Sequence, residues 1–221
     1  MTAERVRTLS TWAAGGIVLT DRGRLRSDGG SDGQPVQRIG VMRVAGYSDP
    51  LEWRGGDPGD PDRVFSFSEQ PDGERAYARA VQRLQRWFDR LAPRPQVVLV
   101  HQNGLAQRLA RHLQSRGDAG ELVILTGHDH EQHVDRYGDI LVVDAGTVGA
   151  GGVFGVGAES VGVAQLHTAT GEGRPRAIDL IQIEPLSGAS RAERIIPSSP
   201  RACEQENIVR CHEEPGSPGS E

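Results

Sequence analysis

Gln96-Val-Val-Leu-Val-His101 and Glu121-Leu-Val-Ile-Leu-Thr-Gly-His-Asp-His130 decide the fold. Each is a short apolar run ending in a histidine or in Gly-His, and each reads as a β-strand covered on both faces. Between them Leu105, Leu109 and Leu113 recur every fourth residue and predict a helix over 104–115. The unit is strand, helix, strand, which is the parallel crossover of an α/β protein. In an open parallel sheet, ligands bind beyond the carboxyl ends of the strands. His101, His128 and His130 stand at those ends, and three neutral imidazoles there point to a transition-metal site.

Upstream, Tyr77, Ala80, Val81, Leu84, Trp87, Phe88 and Leu91 follow helical spacing while Arg75, Arg79, Arg83, Arg86 and Arg90 take the wetter face. This predicts a helix over 72–91, capped by Asp72 and stopped by Pro93. Gly15 to Thr20 and Val36 to Gly46 read as the two strands of a hairpin with a long Gly-rich connection, and 47–70 as a long loop. Downstream, 132–136 and 139–143 predict a hairpin turning at Tyr137-Gly138, followed by strands over 160–168 and 176–185. From Ser187 the composition shifts to Ser, Pro, Glu and Arg, which predicts a disordered tail over 187–221.

The chain has 221 residues and 23.8 kDa, room for one domain and some loop. Its net charge is −5, it has no lysine, and its arginines are scattered among acids without a basic stripe. A nucleic-acid partner is therefore not expected. Met1 to Arg7 lacks an apolar signal core, and the stretch Ile140 to Ala158 is broken by Asp144 and many glycines, so no membrane segment is expected. The two cysteines, Cys203 and Cys211, lie in a polar stretch and predict reduced thiols and a cytoplasmic location. An anchor upstream of Met1 would lie beyond the sequence.

On extended backbone, side chains two residues apart share a face, so His128 and His130 project together while Asp129 points away. His112 on a helix face, His133, which extends the cluster by three residues but alternates away from His130, His167 in a late strand and His212 beside Cys211 all read as structural. Cys203 and Cys211-His212 lack zinc-ligand spacing. The run Gly146 to Gly155 lacks the Gly-Lys-Ser/Thr ending of a phosphate loop and reads as a turn between strands.

Val97-Val-Leu-Val-His101, Leu122-Val-Ile-Leu-Thr-Gly-His-Asp-His130 and Leu141-Val-Val-Asp-Ala-Gly-Thr-Val-Gly149 together resemble the C-terminal half of a calcineurin-like metallophosphoesterase. Gly40 to Pro50 resembles the stretch after the Gly-Asn-His motif of some bacterial members. The likeness runs over residues 10–185, and Gly-His-x-His is its most specific block. It implies an α/β fold, a partial metallophosphoesterase-like β-sandwich flanked by helices, with residues 1–186 forming the C-terminal portion. It also implies that His101 and His128 bind the second metal and His130 the first, in a centre of two divalent ions (Mn, Fe or Zn). The implied substrate is a phosphoester, attacked in line at phosphorus. The family's Asp-x-His, Gly-Asp and Gly-Asn-His motifs have no counterpart before Gln96. The expectation is thus a truncated metal-dependent phosphoesterase that lacks an N-terminal half, with an incomplete metal site, inactive in this form. No catalytic acid or base is assigned. The alternative is a non-catalytic remnant that binds a metal or a partner.

Overall fold

The computed structural model describes residues 15–48, 73–117, 120–128, 132–146, 161–169, 173–184, 187–197 and 209–212. Its strands are β1 (Leu19–Thr20), β2 (Gly23–Arg24), β3 (Val36–Ile39), β4 (Met42–Tyr47), β5 (Val97–Val100), β6 (Leu122–Thr126), β7 (His133–Tyr137), β8 (Ile140–Asp144), β9 (Val161–Thr168), β10 (Pro175–Ile183), β11 (Ser190–Ile195) and β12 (Val209–Cys211). The helices are α1 (Gly73–Asp89) and α2 (Asn103–Arg116).

The strand–helix–strand unit is β5–α2–β6, and its strands are parallel neighbours. Around them a seven-stranded mixed sheet runs in the order β12-β7-β8-β6-β5-β4-β3. The four central strands are parallel, while β7 and β3 run antiparallel to their inner neighbours. A separate antiparallel sheet has the order β11-β10-β9.

Strand alternation distributes the core. Val98, Val100, Leu122, Ile124, Ile140 and Val142 face the helices, where Leu84, Phe88, Leu105, Leu109 and Leu113 cover them. Val123, Val134, Leu141 and Val143 face the other way, onto Ile178, Leu180 and Ile195 of the small sheet. The layers are therefore helix, large sheet, small sheet, the α/β sandwich flanked by helices that the resemblance implied. α2 ends at Gly117, whose φ of +65° lets its N–H return to the Leu113 and Gln114 carbonyls. On the opposite side of the sheet, Gly162 permits a close approach: a Cβ there would lie 2.0 Å from the Ala145 carbonyl oxygen. No described helix is long and apolar enough to cross a membrane.

Four expectations need correction. Val36 to Gly46 is not one strand but the β3–β4 hairpin, turning at Gly40, whose φ is +59°. Leu19–Thr20 pairs with Gly23–Arg24 rather than with that segment, and the Trp87 indole holds this small hairpin by donating to the Asp21 carbonyl at 2.8 Å. The tail is not uniformly disordered: β11 pairs with β10, and β12 adds parallel to β7 at the edge of the large sheet. Backbone pairing and the burial of Ile195 and Val209 order these segments despite their polar composition. Cys211 is not a free thiol but disulfide-bonded. Most of the 47–70 loop, the run from 147 to 155, and Cys203 lie outside the described residues.

Candidate metal centre

His101 follows β5 directly, and His128 follows β6 by two residues. Because β5 and β6 are parallel neighbours, their carboxyl ends place the two histidines side by side. Nδ1 of His128 lies 3.2 Å from Nε2 of His101, and the rings meet edge to face at 84° with centroids 5.0 Å apart. His101 is exposed and His128 half-buried, so the pair is open to a small ligand. Two nitrogens bound to one tetrahedral zinc at 2.0–2.1 Å are roughly 3.3 Å apart. The observed separation thus suits two ligands of one ion, and two imidazoles are donor chemistry suited to zinc or iron. His130 lies outside the described residues, and among those described no group of three His, Cys, Asp or Glu side chains is gathered for a metal.

A hollow of about 340 Å³ adjoins the pair on the face away from the helices, lined by Leu19, Gly46, Tyr47, Leu99, His101 and Leu125. Its floor is apolar. On the helix face the environment is instead polar and buried. Asp144, the last residue of β8, has no exposed surface. Its Oδ2 accepts from Asn103 Nδ2 at 3.0 Å and its Oδ1 from the Gly146 N–H at 2.8 Å. The Thr126 hydroxyl is 3.4 Å from the same Oδ2. The sequence reading passed over Asp144, Asn103 and Thr126. The available signal was the acid closing an otherwise apolar run.

A family model described as the calcineurin-like phosphoesterase superfamily domain matches residues 34–169, more than half of the chain. The chain belongs to that superfamily. Among solved structures, a single mutant of Vps29 from Entamoeba histolytica is similar at 12% identity and a TM-score of 0.33, over 73% of this chain and 58% of that one. Wild-type Vps29 from the same organism, complexed with zinc, gives 12% identity and a TM-score of 0.31, over 74% of this chain and 59% of that one. This calcineurin-like chain thus spans less than two thirds of the length of either. No curated protein matches it.

The four histidines set aside as structural each meet a carboxylate. His112 lies 3.8 Å from Asp89, and His167 lies 2.7 Å from Asp179 on the small sheet. His133 and His212 both approach the buried Asp135, at 3.6 and 2.9 Å, and Gln107 donates to it at 2.9 Å. His212 also stacks on Tyr137, whose phenol is pushed upward in pKa by burial and by the Asp135 charge. On the small sheet the Arg194 guanidinium, with help from His167, holds the Asp179 carboxyl far below the usual aspartate range.

Proposed function

We propose that this chain carries the histidine side of a divalent-metal centre for phosphoester hydrolysis, with His101, His128 and His130 as ligands. The observation that supports it is the 3.2 Å approach of His101 and His128 at the carboxyl ends of adjacent parallel strands in a calcineurin-like domain. A divalent ion held there supplies Lewis-acid polarisation of a phosphoryl oxygen. The chain's own residues bind that ion, and the apolar hollow beside His101 receives the carbon skeleton of the ester.

Two-metal hydrolysis also calls for carboxylate ligands that bridge or flank the ions, and three histidines do not provide them. Metal uptake without efficient turnover is therefore expected of this chain. Titration calorimetry with Zn²⁺ or Mn²⁺ should show uptake that His101→Ala and His128→Ala each weaken by at least tenfold. Hydrolysis of p-nitrophenyl phosphate should be no faster than in the His128→Ala control. Equal metal uptake by wild type and both variants overturns the ligand assignment. Robust turnover that the His128→Ala substitution abolishes overturns the incomplete-site half of the proposal.

A further inference from the structure

We propose that Asp144 is a positioning residue that sets the separation of His101 and His128, acting from a third strand without joining the pair itself. The inference deepens the metal-centre reading above, but its geometric part stands independently of any metal. A carboxylate with no exposed surface is costly unless hydrogen bonds compensate it, and the donors around Asp144 are placed in an informative way. Asn103, which donates at 3.0 Å, is two residues beyond His101. Thr126, two residues before His128, sits opposite Asp144 in the strand register, and its hydroxyl is shared at 3.4 Å between Asp144 Oδ2 and the Val143 carbonyl. The Gly146 N–H, at 2.8 Å, fixes the other carboxylate oxygen and so its orientation.

One buried side chain therefore joins the segment leaving β5 to the segment leaving β6. The Gly127 N–H adds a direct link to the His101 carbonyl at 3.4 Å. The Asn103–Asp144 bond spans 41 residues of sequence and links the helix start to the end of β8. Its loss would let the two segments drift apart by fractions of an ångström, enough to spoil ligand geometry. Groups that orient metal ligands typically contribute 10–100-fold to metal affinity.

The test uses the full chain and the Asp144→Asn variant, which turns an amide NH₂ toward one of the two strong donors, Asn103 Nδ2 or the Gly146 N–H. Four quantities are measured: the ring-to-ring NOE and the imidazole ¹⁵N shifts of His101 and His128 without metal, Zn²⁺ affinity by calorimetry, and the thermal midpoint. The variant should lose the NOE, shift the imidazole resonances and bind Zn²⁺ about 10–100-fold more weakly. Combining Asn103→Asp with Asp144→Asn should restore all three spectral and binding readouts. The amide and carboxylate then trade places, and the amide oxygen at 144 still accepts from Gly146.

A lower melting temperature with unchanged NOE, shifts and Zn²⁺ affinity would mean that Asp144 only stabilises the fold, and would overturn the proposal. Should Asp144→Asn not fold, Asn103→Ala breaks the same link while keeping the Gly146 bond, and is expected to act in the same direction. Should wild type take up no Zn²⁺, the metal-centre reading fails, while the NOE and the imidazole shifts still decide the role of Asp144.

Discussion

The two faces of the seven-stranded sheet are covered differently, and the histidine pair lies where the difference is greatest. On the helix face, side chains from β5 to β8 are closed over by α1 and α2, and Leu105 and Leu109 have no exposed surface. On the other face the small sheet covers β6, β8 and β7, but among the described residues cover runs out at the carboxyl end of β5, where Leu99 is 37% exposed. The apolar hollow opens at that point, beside His101. A strand with the same uninterrupted apolar sequence as its neighbour can therefore be half-covered, and the uncovered half is where a ligand has room.

Substitutions on the two faces test this contrast. Leu109→Ala, on the sheet-facing side of α2, should destabilise the chain by about 2–5 kcal/mol in denaturant unfolding, the usual cost of emptying a closed core site. Gly162→Ala places a methyl against the Ala145 carbonyl where the small sheet meets β8, and should cost about 1–3 kcal/mol through displaced backbone. Leu99→Ala removes a side chain already partly in water, so a loss below about 1 kcal/mol is expected. A Leu99→Ala loss as large as that of Leu109→Ala would show that β5 is covered on both faces in solution, and the contrast would fall.

A smaller effect concerns the outer surface of the small sheet. Arg194 donates to both oxygens of Asp179 at 2.7 Å, and His167 approaches one of them at the same distance. Because the folded state depresses this carboxyl, its contribution is fully present above the unfolded value of about pH 4. It is lost as pH falls through the lower folded value. Asp179→Asn should therefore lower the melting temperature slightly at neutral pH, and the gap from wild type should close in acid. A gap that does not narrow at all as the pH falls below the unfolded value would mean the substitution acts through packing instead of charge.

Much of the architecture was legible from local pattern. The helical spacing over 72–91 becomes Gly73–Asp89, and the strands predicted over 160–168 and 176–185 become Val161–Thr168 and Pro175–Ile183. Ala76 and Ala80, small residues on the buried stripe, were the harder ones: only Ala80 was included in the expected face, yet both are buried. The β3–β4 turn was missed because Gly40 sits inside a run that keeps alternating across it. Ser190–Ile195 was missed for a different reason. It buries only Ile195, so its sequence has no alternation to find, and it is a strand because β10 offers it a backbone ladder. Val209–Cys211 follows the same rule against β7.

By itself the sequence determined that His101 and His128 terminate two buried strands joined by a helix, because apolar period and strand length are local properties of the chain. The seven-stranded order, the half-covered face of β5 and the 3.2 Å approach of the histidines were decided only by tertiary structure. So was the bond from Asn103 to Asp144. Periodicity tells which way a side chain points, but the partner it meets depends on which strand becomes the neighbour, and that choice is made by the packing of the whole sheet.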